Sequence, residues 1–231
     1  MVRLLRPFDH ALKRLIDLIA SGIGLIVLSP VLFGIALAIT RSSPGPVFYR
    51  GVRAGRNGKP FRIYKFRTMV LNADQIGGAS TSGNDPRITS VGAWLRRRKL
   101  DELPQLINVL MGDMSLVGPR PEVPYYTDQF TGEERSILSV RPGITDWASL
   151  WNSDEGAILA GAEDPDRAYE EILRPTKLRL QIKYVRERSV LTDIKILLYT
   201  LQTVLGRDPE IRELADVPPP RPASAGASAT E

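Results

Sequence analysis

The sequence contains no cysteine and a single histidine among its 231 residues. The missing thiols exclude disulfide bonds, a cysteine nucleophile and thiolate metal ligands, and they agree with a reducing compartment. The histidine, His10, precedes the longest apolar run, so we do not expect a histidine base. The net charge is also small. The 31 Lys and Arg residues exceed the 26 Asp and Glu residues by five, and a formal charge of +5 implies only a mild attraction to anions.

One long apolar run dominates the N-terminal part of the chain. From Leu18 to Ile39 about 22 residues carry no charged side chain, which is close to the length that spans a bilayer as a helix. The run is too long for a secretory signal and leads into TRSSPGP rather than a small-residue cleavage site. Ser29 and Pro30 lie near its middle, where proline removes a backbone hydrogen bond, and they predict a kink.

Two membrane topologies are compatible with this run. A kinked spanning helix would place its ends on opposite sides, but basic residues flank both ends and give no orientation. A re-entrant hairpin, which enters and leaves by the same cytoplasmic face, accounts for both flanks, and serine can satisfy backbone groups freed at the break. We favour the hairpin. The basic flanks are Arg3, Arg6, Lys13 and Arg14 before the run, and Arg41, Arg50, Arg53 and Arg56 after it.

The rest of the chain predicts an α+β, helix-rich fold. Apolar and polar residues alternate on either side of Asn57-Gly58, which predicts a β-hairpin with a tight turn. A helical pattern near the C-terminus is broken at Pro175. A final amphipathic helix ends at Gly206, and its apolar face either covers the core or lies on the membrane.

An acidic pair, Asp101 and Glu102, follows four consecutive cations in the stretch RRRKLDELPQLINVLM. Leu103-Pro104 is a good helix opening, so the pair is expected at a helix N-terminus. There the helix dipole and the neighbouring arginines favour the charged carboxylates, which suits a nucleophile or a metal ligand. A purely structural pair at a helix start remains the alternative at this point.

Three motifs occur in order behind the apolar segment: KFRTM from Lys65, DELPQLINVLMGDMSLVGPRP from Asp101, and RPGIT from Arg141. Together they closely resemble the bacterial sugar transferases, which are monotopic polyprenyl-phosphate phosphoglycosyltransferases. The resemblance covers residues 4 to 206 and corresponds to the minimal catalytic form, without the extra N-terminal transmembrane domain of larger members. It implies a re-entrant membrane helix (1–41) and a cytosolic catalytic domain (42–206) with a small β-hairpin and amphipathic interfacial helices; composition predicts a disordered tail (207–231).

The activity implied by the resemblance is transfer of a sugar 1-phosphate from a UDP-sugar to undecaprenyl phosphate with release of UMP. Asp101 would be the nucleophile that forms a covalent phosphosugar intermediate, and Glu102 its partner, with Mg²⁺ bound at the dyad. The implied location is the cytoplasmic face of the bacterial inner membrane, at the first membrane step of surface-glycan synthesis. Phospholipid is an expected partner and nucleic acid is not, while a homodimer is left open.

Residues that match the family motifs are our candidates for substrate binding: Lys65, Arg67, Thr68, Arg96, Arg120, Pro121, Arg141 and Gly143. One departure follows the third motif. Many members continue RPGIT with Gly-Leu-Ala-Gln, whereas this chain has Asp146 and Trp147. Recognition residues for the sugar or nucleotide are therefore not transferred from that region.

Two rival functions come from other classes of protein. A glycosidase also needs two carboxylates, but they must flank the scissile bond from opposite sides, and adjacent residues are badly placed for that. A non-catalytic, basic, membrane-associated protein that binds anions needs only the charge and the apolar segment. It has no use for an acidic pair inside the basic cluster, and release of UMP would separate it from the family reaction.

Overall fold

The computed structural model describes residues 7–76, 81–207 and 209–220, and within these ranges the chain is helix-rich with a few short strands. The helices are α1 (Pro7–Ser42), α2 (Ala73–Ile76), α3 (Ser90–Arg97), α4 (Gln105–Met111), α5 (Pro124–Thr127), α6 (Trp147–Trp151), α7 (Glu155–Ile158), α8 (Pro165–Ala168), α9 (Arg174–Glu187) and α10 (Val190–Val204). The strands are β1 (Phe48–Tyr49), β2 (Val52–Ala54), β3 (Pro60–Arg62), β4 (Lys65–Phe66), β5 (Ser115–Val117) and β6 (Gly143–Thr145). Short 3₁₀ turns cover Arg56–Gly58, Leu100–Glu102, Gly132–Ser139 and Arg212–Leu214, and a π-turn covers Tyr169–Leu173.

The predicted β-hairpin is confirmed. Strands β2 and β3 pair antiparallel, with Arg53 opposite Phe61. The turn between them places Asn57 at φ 58° and Gly58 at φ 74°, the left-handed backbone that these two residue types adopt most readily. Strands β1 and β4 pair antiparallel beside this hairpin. Lys65, the first residue of β4, is thereby fixed by the sheet.

The second and third family motifs meet in a parallel strand pair that the sequence did not predict. Strand β5 precedes the PRP segment, strand β6 lies in RPGIT, and Val117 is paired with Thr145. Gly118 and Gly143 touch backbone to backbone, since a Cβ on Gly143 would lie 2.0 Å from the Gly118 nitrogen. Only glycine fits such an approach, so Gly143 serves the packing of these two segments.

Helix α1 runs without interruption through Ser29 and Pro30. The expected reversal of the chain at this point is therefore not shown. Proline has no N–H for the carbonyl of Ile26, and the Ser29 Oγ donates to that carbonyl at 2.7 Å instead. Serine thus compensates the hydrogen bond that the proline removes, as its position predicted. The basic residues Arg3 and Arg6 before the helix lie outside the described residues.

Helix α1 packs on the rest of the protein through two limbs, residues 9–21 before its middle and residues 35–42 after it. In the first limb, Lys13 Nζ donates to Asp193 at 2.5 Å and the Asp17 carboxylate accepts from the Leu116 backbone N–H at 3.0 Å. In the second limb, Ile35 and Ile39 are buried with a cluster that includes Phe66, Leu95 and Leu100. Between the limbs, residues 22–34 include no buried side chain.

Among the described residues, α1 is the one helix long and apolar enough to cross a membrane. Only 11% of its most apolar 18-residue segment is buried inside the protein, which distinguishes α1 from the core helix of a soluble protein. Large apolar side chains such as Ile26 (75% exposed) and Phe33 (72% exposed) face outward. Such a surface favours an apolar environment around the middle of the helix.

The C-terminal third forms the largest core. Helix α9 begins at Arg174, with Pro175 in its first turn, directly after the π-helical turn Tyr169–Leu173. The backbone stays helical through this junction, so only the hydrogen-bond pattern changes where a break was expected. Helix α10 buries Ile196 against Trp147 and Tyr184, and Gly206 follows it at φ 76°. The outer face of α10 is also apolar and exposed, so the helix covers the core and still presents an apolar surface, formed by Leu191, Ile194, Leu198, Leu201 and Val204.

The tail differs from the disorder expected from residue 207 onward. Within residues 209–220, Leu214 is 9% exposed and joins the core around α9 and α10. Trp151 Nε1 donates to the Pro218 carbonyl at 2.7 Å. Composition missed this segment because a few apolar side chains among prolines are enough to dock it on an existing core. Asp208 and residues 221–231 lie outside the described residues.

Candidate active site

Asp101 and Glu102 lie in the 3₁₀ turn Leu100–Glu102, between α3 and α4. Lys99 begins the turn in the left-handed conformation, at φ 55°, which redirects the chain after the basic run. Pro104 is the residue that immediately precedes α4. The acidic pair therefore precedes the helix, as predicted, by one short turn.

Glu102 is held by two cations. Lys65 Nζ donates to Glu102 Oε1 at 2.8 Å, and Arg120 donates to both carboxylate oxygens, from Nη1 to Oε2 at 2.9 Å and from Nη2 to Oε1. Burial alone would raise the pKa of Glu102, but Arg120 and Lys65 hold it well below its usual range. This carboxylate is thus ionised, and both of its oxygens are occupied.

Asp101 differs from Glu102 in its hydrogen bonds and in the direction of its pKa shift. It is 8% exposed, and its carboxylate accepts no hydrogen bond from the part of the chain that the structure describes. Burial, followed by the charge of Glu102, raises the pKa of Asp101, while Lys65, Arg96 and Arg120 oppose the rise. The cations therefore dominate the pKa of Glu102, whereas the loss of water dominates the pKa of Asp101.

A third cation approaches from α3. Arg96 Nε donates to the Thr68 hydroxyl at 2.9 Å, and Arg96 also acts electrostatically on Asp101. The Thr68 backbone lies against α3, where a Cβ on Gly92 would meet the Thr68 carbonyl at 2.0 Å. The structure thus brings four predicted residues to the dyad: Lys65, Thr68, Arg96 and Arg120.

The other predicted substrate-binding residues make contacts elsewhere. Arg67 donates to the Ser43 and Pro44 carbonyls at 2.8 and 2.6 Å, where it holds the end of α1. Arg141 Nε donates to the Gly112 carbonyl at 2.8 Å, at the far end of α4. Pro121 lines a shallow depression beside Arg120. For these residues and Gly143, contact with substrate stays a prediction.

A buried polar network behind Arg120 was missed by the sequence analysis. Lys177 Nζ lies 2.6 Å from Glu122 Oε1 and donates to the Tyr169 hydroxyl at 2.8 Å. Burial lowers the pKa of Lys177, but Glu122 and Tyr169 more than offset it, so the net shift is upward. A signal was present: Lys177 and Gln181 share the inward face of α9 with Leu180, where a lysine needs a partner.

The departure after RPGIT also acts on Arg120. Asp146 is fully buried and caps α6, accepting from the Ser149 backbone N–H at 2.7 Å. Its second oxygen accepts from the Arg120 backbone N–H at 3.2 Å, and Gln181 donates to the Arg120 carbonyl at 3.4 Å. Burial raises the pKa of Asp146, and its hydrogen bonds oppose the rise. Trp147 packs in the core, so the departure supports the segment that carries Arg120.

The donor set for a metal is small. Within the described residues no group of three or more His, Cys, Asp or Glu side chains could hold an ion. Mg²⁺ commonly binds through one or two carboxylates together with substrate phosphates and water, and Asp101 has free oxygens for this. Glu102 would have to give up a bond to Lys65 or Arg120 to contribute. The site fits Mg²⁺ only in combination with a phosphate-bearing substrate.

A carboxylate with free oxygens can act as a nucleophile, and cations beside it can offset the charge of a transferring phosphate group, so the arrangement is suited to phosphate transfer. The chain belongs to the bacterial sugar transferase family, whose model matches residues 8–207.

Curated relatives agree with this membership. The chain is 42% identical over 199 residues to the UDP-glucose:undecaprenyl-phosphate glucose-1-phosphate transferase of Escherichia coli K12, covering 84% of this chain and 40% of the relative. It is 37% identical over 204 residues to an Aeromonas hydrophila UDP-N-acetylgalactosamine-undecaprenyl-phosphate N-acetylgalactosaminephosphotransferase, covering 86% and 45%. The match to the exopolysaccharide production protein PSS of Rhizobium leguminosarum is 38% over 210 residues, covering 86% and 98%. The chain thus spans less than half of the first two relatives and nearly all of the third.

Proposed function

We propose that this protein transfers a sugar 1-phosphate from a UDP-sugar to undecaprenyl phosphate and releases UMP. The observation that carries the proposal is the contrast within the dyad: Glu102 is bound by two cations, whereas Asp101 is buried with free oxygens. The names of the relatives support the donor and acceptor classes. They differ in the sugar, so the proposal leaves the sugar open.

The two carboxylates have separate roles in this reaction. An Asp101 oxygen attacks the sugar-bearing phosphorus, the bond from that phosphorus to the bridging oxygen breaks, and UMP leaves with the electron pair. An oxygen of undecaprenyl phosphate then attacks the same phosphorus and releases Asp101 as a carboxylate. Glu102 holds Lys65 and Arg120 in place, and these cations offset charge on the transferring group.

A metal is part of the proposal. Asp101, and Glu102 after loss of one of its bonds, would hold Mg²⁺ together with the substrate diphosphate. The ion, when bound, supplies positive charge to the phosphate oxygens. Among the described residues Arg96 donates to Thr68 through Nε, so the end of its guanidinium can act on the same group.

The assay that tests the proposal measures UMP from a panel of UDP-sugars with undecaprenyl phosphate and Mg²⁺. We expect UMP release with one or a few of the sugars, loss of turnover in excess EDTA, and recovery on addition of Mg²⁺. Full turnover in EDTA would remove the metal from the mechanism. No UMP from any donor would favour the non-catalytic anion-binding alternative.

We also propose that α1 bends at Ser29-Pro30 in the membrane, and that it thereby enters and leaves by the cytoplasmic face, with phospholipid around its middle. Both limbs pack on the same domain, and the stretch without buried residues, 22–34, is about 20 Å long as a helix. The hydrocarbon core is about 30 Å thick, so this stretch is too short to cross it. The exposed apolar face of α10 supports contact with the same membrane surface.

Thiol labelling tests this topology in a chain that has no cysteine of its own. His10→Cys and Arg41→Cys should both react with a membrane-impermeant reagent from the cytoplasmic side, because both positions flank the membrane-embedded stretch. Ile26→Cys, in the middle of α1, is the control and should stay unlabelled until detergent is added. Labelling of the two flanking positions from opposite sides would establish a spanning helix instead.

A further inference from the structure

The end of α4 opposite the dyad is held by two arginines from distant parts of the chain. Arg14, in the first limb of α1, donates to the Val109 carbonyl at 2.7 Å and to the Leu110 carbonyl at 3.1 Å. Arg141, the first residue of RPGIT, donates to the Gly112 carbonyl at 2.8 Å. We call these two residues the arginine clamp.

The chemistry of a helix end explains why arginine is suited to this position. The last carbonyls of a helix have no partner within it, and the helix dipole makes this end negative. Gly112 ends α4 in the left-handed conformation, at φ 89°, which turns the chain sharply and leaves these carbonyls accessible. The forked guanidinium of Arg14 can then bind two of them at once.

We propose that the arginine clamp positions the catalytic dyad and couples it to the membrane helix. Helix α4 has seven residues and is about 10 Å long, so a displacement at its C-terminal end moves the turn that carries Asp101 and Glu102. This inference rests on the proposed function for its kinetic consequences, but not for its structural ones.

Further contacts show how α4 is held along its length. Asn108 in its middle is fully buried, accepts from the Tyr64 backbone N–H at 2.8 Å and donates to the Arg62 carbonyl at 2.9 Å. Leu106 lies against Gly24 of α1, where a Cβ on the glycine would be 3.3 Å away. The hairpin thus fixes the middle of α4, while α1 contacts it near both ends. Arg14 is the polar part of that contact, so the seating of α1 determines where the dyad lies.

The same geometry gives Arg141 a structural role in addition to the predicted contact with substrate phosphate. Its Nε is committed to Gly112, and the length of α4 separates it from the dyad. Burial lowers the pKa of Arg141, and the charges of Arg14 and Arg56 lower it further. The negative end of α4 is the group that offsets this concentration of positive charge.

Hydrogen–deuterium exchange and steady-state kinetics on the full chain in nanodiscs test the clamp. In Arg14→Ala we expect peptides from α4 and the preceding turn to exchange faster than in the wild type. We expect kcat for UMP release to fall about 10- to 100-fold, because a misplaced catalytic group costs rate, while KM for the UDP-sugar changes less than about threefold. Arg14→Lys, which can bind one carbonyl, should recover part of both effects.

Arg135→Ala is the matched control. Arg135 also donates to a backbone carbonyl, that of Phe130 at 3.0 Å, but far from α4, so its loss should change neither exchange in α4 nor kcat. If the Arg14→Ala protein does not insert into the membrane, the same exchange and kinetic measurements are made on Arg14→Lys and Arg141→Lys. Unchanged exchange in α4, or a rise in KM at constant kcat, would overturn the proposal. Absence of UMP release by the wild type would defeat the proposed function alone, because the exchange comparison would still decide the clamp.

Discussion

Asp101→Asn is expected to abolish UMP release, by at least about 10³-fold, while the protein folds and inserts normally. The amide has the size of the carboxylate but cannot form the bond to phosphorus. Folding should not suffer, because Asp101 accepts no hydrogen bond within the described part of the chain that the amide would break.

The raised pKa of Asp101 predicts the direction in which the Asp101→Asn substitution changes stability. Burial raises it, so the ionised form is disfavoured in the folded protein relative to the unfolded chain. This cost is absent at acidic pH and present at neutral pH, and the amide removes it. The Tm of Asp101→Asn at pH 7 should therefore equal or exceed that of the wild type. Asp128→Asn, at an exposed position, is the control for activity and should retain it. Substantial turnover by Asp101→Asn would rule out Asp101 as the nucleophile.

Glu102→Gln is expected to reduce both activity and stability. The glutamine keeps one oxygen and places an NH₂ group against Lys65 or Arg120, both of which are donors. The two cations then lose the charge that offsets them. Breaking a buried ion pair costs about 3–5 kcal/mol, and the partial exposure of Lys65 (20%) and Arg120 (32%) places the loss of unfolding free energy at or below the lower end. Turnover should fall about 10²-fold or more, since Arg120 loses its bidentate partner.

The pH dependence separates this effect from a general packing defect. The cations hold the pKa of Glu102 below that of an unfolded glutamate. Its stabilisation is therefore complete above the unfolded pKa of about 4.3 and is lost as pH falls through the folded value. The difference in unfolding free energy between wild type and Glu102→Gln should be constant from pH 7 to 5 and shrink only below pH 4. Glu163→Gln, at an exposed position, should show no difference at either pH. A difference in unfolding free energy between wild type and Glu102→Gln that does not change with pH would contradict the ion-pair account.

Local signals in the sequence were sufficient for some elements. Asn57-Gly58 specified the hairpin because the turn needs a left-handed backbone that these residues adopt. Gly206 marked the end of α10 and Pro175 the start of α9 for similarly local reasons. Ser29 was assigned its role at Pro30 because a hydroxyl one residue away can reach the freed carbonyl.

Features that depend on distant contacts could not be obtained in this way. The parallel pairing of β5 and β6 joins strand positions about 28 residues apart in the sequence, and no local pattern encodes it. Arg141 belongs to a motif, yet its contact with Gly112 depends on where α4 ends in space. The pKa of Asp101 depends on how much water the whole fold removes, which its position at a helix start does not reveal.

The most direct test of the central claim is the mass of the Asp101 peptide after incubation of the protein with Mg²⁺ and a UDP-sugar that supports UMP release, without lipid acceptor. Proteolysis and mass spectrometry should show the peptide containing Asp101 heavier by one phosphosugar, with fragmentation placing the group on that residue. Addition of undecaprenyl phosphate should remove it, and Asp101→Asn should never acquire it. An adduct on Glu102, or an unmodified peptide from protein that turns over normally once lipid is added, would contradict the covalent role of Asp101.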